Sequence, residues 1–183
     1  MKNTTRIINY WGNKIDILVI TTGGTFDKVY FDAKSDYQVG EPYVGNLLEE
    51  GNVTLNYEIL SILKKDSLDI KEEDRMLIKD KVSSATQDKI VIIHGTDTMI
   101  DTAKVLEGIN KTIVLTGSMQ PARFKNSDAT FNVGFALGSA LSLSHGVYIA
   151  MSGRIFSPKD VKKNIDLGRF ENNSWNFFNY PHI

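Results

Sequence analysis

Apolar positions along the chain fall into two rhythms. Short unbroken runs, "KIDILVI" (14–20), "KIVIIHG" (89–95), "KTIVLTG" (111–117) and "GVYIAMSG" (146–153), predict strands covered on both faces. "VTLNYEILSI" (53–62), rich in β-branched and aromatic residues, predicts another. Elsewhere the spacing is helical: Met99, Ala103, Leu106 and Ile109 over 98–109, and Ala129, Val133, Ala136, Leu137, Ala140 and Leu141 over 128–144. A further helix is expected from Asp69, whose carboxylate can cap free N–H groups while Glu72 completes a capping box. Ile70, Leu77, Ile78 and Val82 give that helix its apolar side.

Strands alternating with helices predict an α/β fold of three layers, a mostly parallel sheet with helices on both faces, of the Rossmann or flavodoxin kind. No repeat, low-complexity segment or Pro/Gly linker divides the 183 residues, so a single domain over 1–183 is expected. It has an N-terminal extension (1–13), to which the pattern assigns no role, and a C-terminal tail (165–183). In such sheets ligands bind beyond the carboxyl ends of the strands. The polar insertions collect there: "TTGGTFD", "HGTDT", "TGSMQPARFKNSD" and "MSGRIFSPKDVKKN" each follow an apolar run.

Composition narrows the partners. A net charge of -1, with no block of like charges, gives no reason to expect nucleic acid. No apolar run approaches the roughly 20 residues that span a bilayer, and the N-terminal stretch lacks the core of a signal peptide. A cytoplasmic enzyme or small-molecule-binding protein, with no membrane partner, is the expectation. The absence of cysteine excludes disulfides, thiolate nucleophiles and Cys-based metal sites. His94, His145 and His182 have no ligand-like spacing, so the residues give no reason to expect a metal.

Two hydroxyl-rich loops carry the candidate chemistry. In "TTGGTFD", Gly23 and Gly24 permit close backbone approach and surround it with Thr21, Thr22 and Thr25. The same residues fit a plain strand-end turn with self-capping threonines; neither phosphate-loop fingerprint is present. "HGTDT" sets Thr96 beside Asp97 at a helix start, where Asp97 also fits an N-cap. A threonine hydroxyl is a poor nucleophile until a base takes its proton. With no histidine triad apparent, a lysine kept partly neutral by burial or neighbours can serve. "SPKDVKKN" supplies Lys159, Lys162 and Lys163, and the pattern does not single out the inward one.

Taken in order, "TTGGTFD", "HGTDTM", "LTGSMQPARF" and "SDATFN" resemble the bacterial-type L-asparaginase and glutaminase family, from about Lys14 to about Asn164. The family hydrolyses side-chain amides with threonine nucleophiles and without a metal or organic cofactor, so the resemblance implies neither here. The resemblance implies Thr25 as the acyl-accepting nucleophile and Tyr37, in "SDYQVG", as the lid-loop tyrosine that activates it. It implies Thr96, Asp97 and Lys163 as the second catalytic set, with Asp97 also holding a substrate α-ammonium. Gly24, Gly95 and Ser118 are expected to line the substrate. Where the family's serine and glutamine grip the α-carboxylate, this chain reads "LKKDSLD": Lys64, Lys65 and Asp66 take the substrate-binding positions, and the two lysines fit either a carboxylate partner or a solvated pair before a helix.

The family's smaller C-terminal domain, which lends a glutamate to a neighbour's site, has no counterpart in "IDLGRFENNSWNFFNYPHI"; its aromatics are expected to form a docked tail. By analogy, a homodimer or dimer of dimers is expected. Two functions compete: an asparaginase-like amidohydrolase that releases ammonia, and a non-catalytic ligand-binding or regulatory domain derived from one; a third, a nucleotide-binding Rossmann protein, fits the fold class but lacks the phosphate fingerprint.

Overall fold

The computed structural model describes residues 5–8, 16–31 and 36–173. Seven strands form one sheet in the order β1-β5-β2-β6-β7-β8-β9: β1 (Thr5–Ile8), β2 (Ile17–Gly23), β5 (Tyr57–Lys65), β6 (Lys89–Ile93), β7 (Thr112–Thr116), β8 (Gly146–Met151) and β9 (Arg154–Phe156). The five central strands are parallel, and β1 and β9 close the two edges antiparallel. The unbroken apolar runs are central because both of their faces are covered: Ile90, Val91, Ile92 and Ile93 are fully buried.

Alternate residues feed two cores. Ile17, Val19, Val91, Ile93 and Val114 pack with α1 (Val44–Glu50) and α4 (Ala129–Ser142) on one face. Leu18, Ile20, Ile90, Ile92, Ile113 and Leu115 pack with α2 (Glu72–Ser84) and α3 (Met99–Val105) on the other. The three-layer, mostly parallel architecture read from the sequence is therefore the one observed.

Differences lie at the margins. The helix expected from Asp69 begins at Glu72, and Asp69 belongs to a short 3-10 turn, Ser67–Asp69. Asp66, not Asp69, accepts a backbone N–H there, from Leu68 at 3.2 Å, and Ile70 is buried in extended conformation. Asp74 accepts the Lys71 N–H at 2.9 Å and so caps α2 from within its first turn, with the N-cap at Lys71, two residues later than expected. The extension given no role supplies β1, paired with β5 from Thr5↔Leu60 to Ile8↔Tyr57. Two small hairpins stand outside the sheet: β3 (Lys28–Phe31) with β4 (Asp36–Val39), and β10 (Lys162–Asn164) with β11 (Arg169–Glu171). The tail aromatics Trp175, Phe177, Phe178 and Tyr180 lie outside the described residues.

Candidate active site

Three loops meet at the carboxyl end of the sheet, two of them backbone against backbone and the third through the side chain of Ser67. β2 ends in buried Thr21 and Thr22, and the Thr22 hydroxyl donates to the Ile93 carbonyl that ends β6 (3.1 Å). Gly24 then turns with φ +76, its N–H donating to the Lys65 carbonyl at the end of β5 (2.8 Å). A Cβ on Gly24 would lie 2.5 Å from the Cα of Gly95, and one on Gly95 would lie 2.5 Å from the Cβ of Ser67. Only glycine fits at either position. Thr25 and Thr96 each follow one of these glycines directly, so the contact sets the two candidate nucleophiles on adjoining loops.

The second set is assembled. Lys163 Nζ lies 2.8 Å from Thr96 Oγ1 and 2.6 Å from Asp97 Oδ1. The other Asp97 oxygen, Oδ2, accepts the Ser67 hydroxyl at 3.3 Å, and the Thr98 hydroxyl donates to the Ser67 carbonyl at 2.7 Å. Asp97 is thus not spent as a helix cap: α3 begins after Thr98 with no side-chain cap bond. The small hairpin decides which lysine faces inward. Val161 and Phe170 are buried, Phe170 lies against Phe156 (ring centroids 6.4 Å), and Lys163 pairs opposite Phe170. Lys162 is left exposed, while Lys159 points outward to Glu107 at 3.6 Å. A protonated Lys163 donates to both partners. A neutral one can keep its bond to Asp97 and take the Thr96 proton.

Thr25 opens a 3-10 turn, Thr25–Asp27, whose first hydrogen bond runs from the Asp27 N–H to the Gly24 carbonyl. The N–H groups of Thr25 and Phe26 precede that bond, so the turn itself leaves them unengaged. Tyr37 sits on the β3/β4 hairpin, 45% exposed, with its ring 5.3 Å from Tyr30 and 6.4 Å from Phe124. The structure brings Thr96, Asp97 and Lys163 into direct contact, puts Thr25 on the loop adjoining theirs, and packs the exposed Tyr37 against Tyr30 and Phe124.

The residues expected to grip a carboxylate have other partners. Lys64 pairs with Glu41 (2.5 Å), Lys65 with both oxygens of Asp74 (2.8 Å), and Asp66 with Lys28 (2.7 Å). The Lys28 and Leu68 contacts outweigh partial burial and hold the Asp66 carboxyl below its usual value. Ser118 is buried, and its hydroxyl donates to the Gln120 carbonyl at 2.5 Å. Asp128 holds that loop by accepting the N–H groups of Met119 and Gln120 at 3.0 and 3.2 Å.

Two residues at the site escaped the sequence reading. Ser67 touches Asp97 and Gly95, but a lone serine before a helix carries no signal beyond a turn. Asp27 is 1% exposed, and burial pushes its carboxyl from 3.8 up to about 7 against the pull of the Tyr43 N–H and of Arg123. A buried carboxyl with a raised value, two residues past a candidate nucleophile, is a candidate functional position. His94 is wholly buried. Its Nδ1 bonds the Gly95 carbonyl (2.8 Å), so Nδ1 carries the hydrogen, and Nε2 accepts from the Thr102 hydroxyl (2.9 Å). Burial lowers it from 6.5 to about 4, so it stays neutral and braces the "HGTDT" loop. Among the described residues no group of three or more His, Asp or Glu is placed to hold a metal ion. Nor is any helix there long and apolar enough to cross a membrane.

The family model for the asparaginase N-terminal domain matches residues 16–174. The L-asparaginase of Thermococcus kodakarensis is 34% identical, over 91% of this chain and 52% of its own length. L-asparaginase 2 of Escherichia coli is 28% identical, with coverage of 91% and 52%. Among solved structures, the Thermococcus kodakarensis enzyme superposes with a TM-score of 0.75 over 91% of this chain and 52% of its own, at 32% identity. L-asparaginase I of Vibrio cholerae gives 0.76 at 26% identity, over 87% of this chain and 52% of its own. The chain spans about half the length of the relatives it matches.

Proposed function

This chain belongs to the asparaginase family, and from that premise we propose that it is an amidohydrolase with a threonine nucleophile, acting on asparagine, glutamine or a related side-chain amide. The observation that carries the reading is the contact of Lys163 Nζ with Thr96 Oγ1 and Asp97 Oδ1 at 2.8 and 2.6 Å. It joins a hydroxyl and a carboxylate of one loop to a candidate base from another, which is the combination that activating a threonine requires.

Thr25 Oγ attacks the amide carbon. The C–O bond forms, the C–N bond breaks, and the nitrogen leaves as ammonia with the hydroxyl proton. The Lys163–Thr96 pair moves protons beside it and activates the water that opens the resulting ester, giving the carboxylate product and regenerating Thr25. The N–H groups at the start of the Thr25 turn are the donors that would stabilise the oxyanion, a role generally worth 10²–10³ in rate. Asp97 and Ser67, already in contact, form a polar pair suited to an amino acid's ammonium and carboxylate. The side chain of Lys163 is 18% exposed and that of Asp97 38%, so this ion pair contributes little to stability.

The test is ammonia release from asparagine, glutamine and a panel of β- and γ-amides. Lys163→Met is expected to cut turnover about 10²–10⁴-fold, the usual worth of a positioned base, while shifting unfolding free energy by only about 1 kcal/mol. Thr96→Ala is expected to trap an acyl group on Thr25, visible by mass spectrometry; an adduct on Thr96 in Thr25→Ala would reverse the two roles. Binding of a carboxylate ligand with no ammonia from any amide would overturn the reading.

A further inference from the structure

The β3/β4 hairpin that carries Tyr37 is a two-stranded ribbon apart from the main sheet, and such ribbons are marginally stable alone. Its anchorage converges on one residue. Asp27 ends the Thr25 turn and leads straight into β3. The Asp27 carbonyl accepts the N–H of Gly40, closing the stem where β4 ends (2.8 Å). Its carboxylate Oδ1 accepts the N–H of Tyr43, which fixes the chain entering α1 (2.9 Å). One residue earlier, the Phe26 carbonyl accepts the N–H of Ala122 from the loop after β7 (2.9 Å). The charged groups facing this carboxyl are Arg123, Glu41 and Lys64: Arg123 lies 4.3 Å over the Tyr43 ring, and Lys64 is paired with Glu41.

We propose that Asp27 is a positioning residue whose buried carboxyl clamps the stem of the Tyr37 hairpin to the Thr25 turn, and so sets where the tyrosine stands relative to the nucleophile. The proposal rests on the hydrolase reading only for the roles of Thr25 and Tyr37. The clamp itself is a matter of hydrogen bonds.

Its signature is a proton. With the stem closed, the carboxyl is held up to about 7 by burial; with the stem open and hydrated it returns toward 3.8. Closing therefore takes up a proton between those values. Opening becomes easier as pH rises, by up to about tenfold per pH unit, and levels off once the closed form is also ionised. A structural aspartate that only fills space would show no such window.

Hydrogen exchange of the amides in 28–31 and 36–40, corrected for intrinsic rate and read from pH 5 to 8, tests this on the full chain. The intact protein is expected to lose hairpin protection toward pH 7 and then plateau, with α4 and β6 unchanged. Asp27→Asn keeps an acceptor for Tyr43 and removes the titration, so its hairpin should stay protected with the pH step abolished. Asp27→Ala removes the acceptor and should speed hairpin exchange about fivefold or more at every pH, the worth of one buried hydrogen bond. The clamp is overturned if Asp27→Asn keeps the intact protein's pH step, or if Asp27→Ala leaves hairpin protection unchanged. A protein that hydrolyses no amide would remove the catalytic meaning, yet the exchange data would still decide the clamp. Where hydrolysis is seen, Asp27→Asn is expected to flatten the limb of the kcat/KM profile near pH 7.

Discussion

At the scale of single residues, Asp27 and His94 are buried titratable groups on two loops of the site, and burial moves them in opposite directions. Asp27 is raised from 3.8 to about 7, so the folded state holds its proton where the unfolded chain has lost it. That contribution is complete below pH 3.8 and is lost as pH rises toward 7. His94 is lowered from 6.5 to about 4, so the folded state refuses a proton the unfolded chain takes; its contribution is complete above 6.5 and is lost as pH falls toward 4. Between about pH 4 and 6.5 the two slopes oppose, each on the order of 1.4 kcal/mol per pH unit at full proton difference. Denaturant titrations across that window should find Asp27→Asn gaining stability with rising pH and His94→Gln losing it, with the intact protein flatter than either. Parallel slopes in all three would refute the assignment. Neither group was legible as a site residue, because burial is a property of the fold and "TFDK" or "IIHG" reads the same exposed or buried. Lys163 was legible only through resemblance. Among Lys159, Lys162 and Lys163 the choice is made by the β10/β11 register, which a three-residue strand leaves no pattern to reveal.

At the scale of elements, the long apolar runs declared themselves because both faces of a central strand are buried, and no turn chemistry competes with that signal. The β3/β4 hairpin did not, because "KVYF" and "DYQV" mix charge with aromatics and their described side chains belong to neither core cluster. The helix start slipped because Asp66, Asp69 and Asp74 are all competent caps, and the burial of Ile70 decides among them. What the elements share is the glycine contact, and it makes a prediction that separates side-chain from backbone crowding. Gly95→Ala drives a methyl into the Ser67 side chain at 2.5 Å, an overpacking expected to cost about 1–3 kcal/mol and to displace the Ser67–Asp97 contact. Adding Ser67→Gly removes the obstructing atoms, so the double variant should recover most of the loss in melting temperature. Gly24→Ala meets the backbone of Gly95 at 2.5 Å with φ +76, and no side-chain change relieves it. If Ser67→Gly rescued Gly24→Ala as well as it rescued Gly95→Ala, the three-loop contact would not be built as described.

At the scale of the whole molecule, the sheet must end twice, and its two edges are finished differently. β9 is three residues long and carries Arg154, whose guanidinium lies 5.6 Å over the Phe156 ring; a short, charged strand is a poor template for another chain. The other edge falls to β5, nine residues long, whose buried Tyr57 and Ile59 anchor it in the core. An uncovered β5 would present an extended row of free N–H and C=O groups, and β1 covers Tyr57 to Leu60. The segment that the hydrophobic pattern left without a role is therefore a guard strand, invisible beforehand because four residues cannot establish a period. β5 also reaches the site, since its Lys65 carbonyl holds the Gly24 N–H. Removing residues 1–13 should cost about 2–4 kcal/mol through lost ladder bonds and drive concentration-dependent association visible by light scattering. Loosened pairing along β5 should also weaken the register that presents Thr25, so turnover should fall further than a surface truncation explains. A truncated chain equal to the full one in stability, association state and turnover would show that β1 guards nothing.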